Sequence, residues 1–361
     1  MPVIIFIILL VFLGKNFYVF FRLWHILPAG KILLVISATL LMLCFFGGML
    51  GGNFLPAGIV GFAYRIGTTW FFIALYLLFI FLFLDLLRLV LPMQKILHEN
   101  WLTLGVLAVV LTAVFAYGYK NYLNKQRVEL TLAINKPIGQ LKIVAVSDLH
   151  LGYNIGTEEL DEWIRLINLE KPDIVLMAGD VIDNHIERVV KQNFSFEKIK
   201  SRYGVYACPG NHEYIGSTSK ISKSLDFLNN AKVNVLRDTA VLINDEFYLI
   251  GRDDRSNPKR KSLSELRQTL DETKPVILLD HQPFYLEETA KNGIDLQVSG
   301  HTHDGQLLPV SWITKRMYEV SHGYLRKGDS HIYVSSGIGI WGGKFRIGTQ
   351  SEYVVINLNN I

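Results

Sequence analysis

The sequence predicts a layered α/β domain, its sheets covered by helices, preceded by an all-α transmembrane bundle. Two observations carry that prediction. Residues 1–119 hold only six bases (Lys15, Arg22, Lys31, Arg65, Arg88, Lys95) and two acids (Asp85, Glu99), leaving 30 of the 36 bases and 30 of the 32 acids to the remaining 242 residues. Beyond about Tyr122, short apolar runs alternate with amphipathic stretches, the pattern of strands and helices in layered sheets. We therefore divide the chain into a transmembrane region, residues 1–120, and a second domain, residues 121–361. Half of the residues are hydrophobic and 19% charged, which excludes disorder and departs from an ordinary soluble enzyme. The net charge of +4 lies wholly in the first third; the balanced remainder offers no basic footprint, so no nucleic-acid partner is expected. Cys44, in an apolar run, and the distant Cys208 argue against a disulfide framework.

A spanning helix needs about 20 apolar residues. Residues 32–52 are uncharged, and 66–84 and 101–119 are further charge-free runs. Residues 2–21 are interrupted by Lys15 and Asn16, but they lack the basic start and small-residue cleavage site of a signal peptide, and they count as another span. Gly51-Gly52-Asn53 and Leu91-Pro92 break the runs, giving four spans and an integral multi-pass cell-membrane protein with the lipid bilayer as partner. Arg22, Lys31, Arg88 and Lys95 flank one side, and Arg65, Lys120, Lys125 and Arg127 the other, so the positive-inside rule selects no orientation. Asp85 and Arg88 are spaced as an i,i+3 pair near a span end, where snorkelling suffices. The region reads as an anchor, not a transport path.

In the second domain, "VELTLAI" (128–134) and "LKIVAVS" (141–147) read as strands. A helix opens at Thr157, with Leu160, Trp163, Ile164 and Ile167 on one face and Glu158 and Glu159 at its N-terminal dipole. Lys171-Pro172-Asp173 stops it, and "IVLMAG" (174–179) is a buried strand. "YGVYAC" (203–208), "EFYLIG" (246–251), "PVILLD" (275–280) and "DLQVSG" (295–300) repeat the theme. Helices are predicted near 196–203, 219–229, 263–270 and 287–291, then a hairpin around Lys327-Gly328-Asp329 and a terminal strand, "EYVVINL" (352–358).

Chemistry gathers where strands end. "SDLH" (147–150), "GDVID" (179–183), "GNHE" (210–213), "DHQP" (280–283) and "GHTHDGQ" (300–306) each follow an apolar run, and open α/β sheets collect ligands at such ends. Asp148/His150 and His301/His303 are i,i+2 pairs, which point the same way on an extended chain. Glycines before Asp180, Asn211 and His301 permit tight turns. Carboxylate, imidazole and amide oxygen without thiolate suit Mn²⁺, Fe²⁺ or Zn²⁺ in an open catalytic site. Any one cluster could be turn chemistry; five in this order are a signal. His185, His322 and His331 lie outside them and read as surface or loop histidines.

The ordered set D-x-H, GD-x-x-D, GNHE, H, GH-x-H resembles the calcineurin-like metallophosphoesterases, from about residue 140 to the end. "SDLHLG", "GHTHDGQ" and "SSGIGIWGGKFRIG" resemble its bacterial membrane-linked branch, some members of which hydrolyse UDP-2,3-diacylglucosamine. The resemblance implies a four-layer sandwich, two β-sheets flanked by helices, and two divalent ions. By the family pattern Asp148, His150 and His303 hold one ion, Asn211, His281 and His301 the second, and Asp180 bridges both. His212 would stand beside the scissile phosphate as general acid, with Asp183 orienting it. Asp304 departs from the pattern, since many of those relatives have Gly there; it is expected to add a carboxylate near the metals.

The implied function is a membrane-anchored phosphoesterase acting on a phosphodiester or pyrophosphate, in a substrate that could be lipid-linked. A non-catalytic metal-binding sensor or scaffold is the alternative; it would be expected to lose His212 or a ligand, and neither is lost. "LLPVSWITKRMYEV" (307–320) reads either as a segment at the bilayer surface or as a buried loop, and "GRDDRSNPKRK" (251–261) as a charged surface segment, a lid or a solvated loop.

Overall fold

The computed structural model describes residues 2–92, 97–183, 185–192, 194–215 and 218–361, without the side chains of 2–5, 8, 53 and 218–220. Lys95, counted above among the flanking bases, lies outside them. The chain divides into two compact units, Met1–Tyr117 with Gly342–Lys344, and Gly118–Trp341 with Phe345–Ile361.

In the first unit run α1 (Pro2–Ile26), α2 (Lys31–Leu50) and α3 (Ala57–Leu87), followed by α4 (Trp101–Leu123), whose residues from Gly118 on are assigned to the second unit. Each is long and apolar enough to cross a membrane. Helix α3 begins at Pro56-Ala57 and carries on through Arg65, well before the charge-free run. The polar interruptions of α1 are absorbed by packing. Lys15 donates to the Phe71 carbonyl at 3.2 Å and lies over the Phe71 ring. Asn16 accepts from Trp70 Nε1 at 2.9 Å. Asp85 pairs more closely with Arg22 of α1, at 2.6 Å, than with Arg88, at 3.4 Å. Gly48 and Gly67 let α2 and α3 meet backbone to backbone, since an added Cβ would lie 2.9 Å from the Ala63 carbonyl carbon or 2.8 Å from that of Cys44.

The second unit contains β1 (Gln126–Ile134), β2 (Leu141–Val146), α5 (Thr157–Leu169), β3 (Ile174–Ala178), α6 (Ile186–Lys191), β4 (Val205–Cys208), α7 (Thr218–Asn230), β5 (Val233–Val235), β6 (Thr239–Ile243) and β7 (Phe247–Gly251). Then follow α8 (Leu263–Arg267), β8 (Val276–Leu279), α9 (Leu286–Lys291), β9 (Leu296–Ser299), α10 (Val310–Met317), β10 (Gly323–Lys327), β11 (Ser330–Val334) and β12 (Glu352–Asn360). One sheet has the order β1-β12-β2-β3-β4-β5, the other β10-β11-β9-β8-β7-β6. Strands β2 to β5 are mutually parallel, as are β7, β8, β9 and β11.

Strand alternation explains the layering. In β2, Leu141, Ile143 and Ala145 join Leu249, Ile277, Leu279 and Val298 in a core between the sheets. Val144 and Val146 face the other way, into a core with Leu160, Trp163, Ile164 and Ile167 of α5. Ile250, Val276 and Leu278 meet Leu263 and Leu266 of α8 on the far side of the second sheet. Both faces of the central strands are buried, which is why they read as continuous apolar runs. The architecture is the helix-covered, two-sheet sandwich that the sequence predicts.

Several local expectations are corrected. Residues 196–203 form only a 3₁₀ turn, Phe196–Lys198, because Phe196 is anchored in the core and the chain is extended from Ile199. The segment after β7 is solvated only in its second half, where Ser256, Pro258, Lys259 and Lys261 are exposed: Arg252, Asp253 and Asp254 are buried, with Arg252 and Arg260 each 3.2 Å from Asp280 and Arg237 2.8 Å from Asp253. His331 is buried in β11, one ring nitrogen 2.8 Å from the Tyr324 hydroxyl and the other 3.0 Å from the Ala133 carbonyl. His322 is exposed, as expected of a surface histidine, with its ring 2.9 Å from Glu352. Residues 310–317 form α10, on which Trp312, Ile313 and Met317 are 64%, 58% and 66% exposed; they are not a buried loop.

Candidate metal centre

Strands β2, β3 and β4 of one sheet and β8 and β9 of the other end at one place, and the five polar clusters meet there. The i,i+2 pairs do not converge by extension. Asp148, His150, Asp180, His301 and His303 all have left-handed backbones, with φ from 47° to 74°. Such conformations are uncommon for non-glycine residues and fold each side chain back over its strand end. The glycines also serve differently from expectation. Gly179 does take a left-handed turn, φ 82°. Gly210 and Gly300 are small because side chains press on them: an added Cβ would lie 2.9 Å from Asp180 Cγ at the first and 2.6 Å from Ser147 Cβ at the second.

Three sets of donor atoms lie within 4.8 Å of one another: Asp148, His150 and His303; Asp180, His281 and His301; and His150, Asp180 and His212. His150 Nε2 is 3.1 Å from His303 Nε2, and His303 Nε2 is 3.5 Å from Asp148 Oδ1. Asp180 Oδ2 is 3.2 Å from His281 Nε2 and 3.8 Å from His150 Nε2, which places it between the two triads. Asn211 Oδ1 is 2.8 Å from His301 Nδ1 and 3.3 Å from His281 Nε2. The Ala178 carbonyl accepts a hydrogen bond from His281 Nδ1–H at 2.7 Å, leaving Nε2 turned towards Asp180 and Asn211. His212 Nδ1 lies 3.0 Å from Asp183 Oδ1, and its backbone N–H donates to Asp180 Oδ1 at 2.8 Å.

Charge is concentrated without ordinary counter-ions. Asp148 and Asp180 are buried, and among the described residues neither pairs with Lys or Arg. Burial pushes the Asp148 carboxyl up to about 6. Burial acts the same way on Asp180, but the His281 and His212 imidazoles outweigh it and hold that carboxyl well below its ordinary range. Burial drives His150 down to about 3, His301 to about 4 and His303 well below the usual value, so all three present neutral lone pairs. At His212 burial is overcome by the Asp180 and Asp183 carboxylates, which push it up to about 9.

The molecule can now be set beside known proteins. Residues 141–305 match the calcineurin-like phosphoesterase family. A metallophosphoesterase of Helicobacter pylori is 31% identical over 74% of this chain and 73% of its own. The chain belongs to the calcineurin-like metallophosphoesterase family. A metallophosphoesterase of Bacillus subtilis is 32% identical over 71% of this chain and 94% of its own. A protein of Danio rerio described as a transmembrane protein with metallophosphoesterase domain is 30% identical, over 70% of this chain and 62% of its own. Membership implies a phosphoester hydrolase that binds divalent metals, and this metallophosphoesterase has residues that fit them. Two buried carboxylates attract positive charge, the imidazoles of His150, His301 and His303 offer neutral lone pairs, and the donor set holds no thiolate.

Sequence reading did not single out the residues that brace the site. Arg346 is fully buried, donating to the carbonyls of His303 at 2.7 Å, Ser336 at 2.5 Å and Gly339 at 3.0 Å, and burial lowers it to about 10. Arg346, one of two cations with Lys344 inside the glycine-rich "SSGIGIWGGKFRIG", was the available signal. Glu213 accepts from the Ile182 and Gly210 N–H groups at 2.9 and 2.7 Å, tying the second and third clusters together, and burial pushes it up to about 7. Asp304 does not join the donor sets among the described residues; it is buried and accepts from the Ser321 hydroxyl at 3.2 Å. The Thr302 hydroxyl caps its N–H, holding Asp304 in its own left-handed turn.

Proposed function

We propose that this protein is a membrane-anchored, dinuclear-metal phosphoesterase that cleaves a phosphodiester or pyrophosphate bond in a lipid-linked substrate, UDP-2,3-diacylglucosamine being the specific candidate. The observation that carries the reading is the meeting of two carboxylate–imidazole triads through Asp180, with His212 beside them on Asp183. In this reading Asp148, His150 and His303 hold one ion, Asn211, His281 and His301 the other, and Asp180 both. Divalent ions such as Mn²⁺, Fe²⁺ or Zn²⁺ would supply Lewis acidity, neutralising phosphate oxygens and acidifying water. His212 stores a proton, stabilised by Asp180 and Asp183, and gives it to the departing alkoxide. Asp183 occupies Nδ1, so Nε2 is the nitrogen left to face the leaving group.

Residues 1–120 are proposed as a multi-pass anchor and 121–361 as the catalytic domain. The four apolar helices and the transmembrane relatives from Danio rerio and Bos taurus support this. A lipid-linked substrate is favoured by α10, where exposed Trp312, Ile313 and Met317 sit among Lys315 and Arg316, a composition suited to an anionic bilayer surface. The test is a screen of detergent-purified protein against nucleotide-diphosphate lipids, phospholipids and soluble diesters. Chelator-sensitive hydrolysis greatest on the diphosphate lipids is expected; equal or better turnover of soluble esters would remove the lipid assignment.

A further inference from the structure

From His301 of the candidate centre runs a chain of aromatic and cationic side chains that the catalytic reading does not use. The rings of Tyr318 and His301 are 6.2 Å apart, those of Tyr318 and Phe284 4.8 Å apart. The Arg255 guanidinium lies over Phe284 at 4.6 Å and over Tyr285 at 4.7 Å. Three successive contacts therefore join an imidazole of the metal centre to a guanidinium.

Arg255 differs from its neighbours in charge balance. Arg237 is paired with Asp253, and Arg252 and Arg260 with Asp280. Among the described residues Arg255 has no ion pair and no hydrogen-bonded acid. The adjacent Asp254 is engaged elsewhere, accepting from Gln282 at 2.9 Å and from the Ser256 N–H at 2.8 Å. The same bonds fasten the loop: Gln282 follows His281, so Asp254 ties the segment carrying Arg255 to the strand end carrying a candidate ligand. Aromatic faces on two sides limit the rotamers of the guanidinium while leaving its N–H edge open to an acceptor. Its field reaches the Tyr318 phenol, where it opposes the rise that burial imposes.

We propose that Arg255, braced by Phe284 and Tyr285, binds a second phosphoryl group of the substrate, so that the preferred substrates are pyrophosphate-linked. A planar, fixed fork matches the paired oxygens of a phosphoryl group, which a point charge does not. The inference rests on the phosphoesterase reading for its place in catalysis, but it is measurable as binding alone.

The experiment uses full-length, detergent-solubilised, metal-replete protein and two non-hydrolysable probes, methylenediphosphonate and methylphosphonate, followed by calorimetry. Arg255→Gln should weaken methylenediphosphonate by roughly tenfold or more relative to its effect on methylphosphonate, because a charged hydrogen bond is worth about 1.5–3 kcal/mol. Arg255→Lys should recover part of the loss, keeping charge without the fork. Metal content measured on each variant excludes an indirect effect. Equal weakening of both probes, or unchanged methylenediphosphonate affinity in Arg255→Gln, would overturn the proposal. Chelator-sensitive hydrolysis of any member of the panel of diphosphate lipids, phospholipids and soluble diesters by the unsubstituted protein reads the phosphoesterase assignment separately; no hydrolysis across the panel would remove that assignment and leave the binding comparison standing.

Discussion

At Asp180 and His212 two neighbouring side chains are asked for different chemistry, and their surroundings support the division. Asp180 reaches His281 with one oxygen and the His212 N–H with the other. Asp180→Asn should therefore lower metal content and slow every substrate alike. His212 belongs to a donor set too, so geometry alone leaves it eligible as a ligand, and its hydrogen bond to Asp183 is what favours the proton-donor role. His212→Ala should keep its metals and lose much more rate on an alkyl diester than on a nitrophenyl ester, since general-acid help is worth about 10²–10⁴-fold where the leaving group needs a proton. Loss of metal, or equal slowing of both esters, would make His212 a ligand or a phosphate contact. The identities of these residues were legible because ligand chemistry demands particular side chains. Their conformations were not: nothing in D-x-H announces that both residues adopt positive φ, or that Gly300, Gly337 and Gly339 pack against Asp148.

Among the elements, the central strands were the easiest to read, because burial on both faces leaves an unbroken apolar run such as "IVLMA". Helix α5 was equally plain, its buried residues spaced at i, i+3, i+4 and i+7. The stretch 251–261 was not, since Arg252 and Arg260 pair with Asp280 and Asp253 pairs with Arg237, partners brought in from elsewhere in the chain. Helix α10 was legible in composition but ambiguous in placement; the fold resolves it as an amphipathic helix with its apolar residues outward. If that face meets lipid, Trp312→Ser with Ile313→Ser should reduce hydrolysis of a vesicle-borne diphosphate lipid by roughly tenfold or more, since burying one such side chain is worth about 1.5–3 kcal/mol. Turnover of bis(p-nitrophenyl) phosphate should stay within about twofold, because neither residue belongs to the donor sets. Equal loss on both substrates would show that α10 supports the site and does not engage the membrane.

Over the whole molecule, the split between an apolar first third and a charge-balanced remainder follows from two solvents acting on one chain. The first unit satisfies its few polar groups internally, as Lys15, Asn16 and Asp85 show, and exposes apolar surface along α1 to α4. The second unit does the reverse, burying apolar strands and gathering its buried acids and imidazoles at the strand ends. In the proposed reading divalent cations join those groups, so metal content is the property to measure. The direct measurement is divalent-metal stoichiometry and hydrolysis on the full-length protein, purified in detergent without chelator, then treated with EDTA and re-supplied with Mn²⁺. More than one equivalent of metal per chain, hydrolysis lost with EDTA and regained with Mn²⁺, is the predicted result; full hydrolysis by metal-free protein would contradict it.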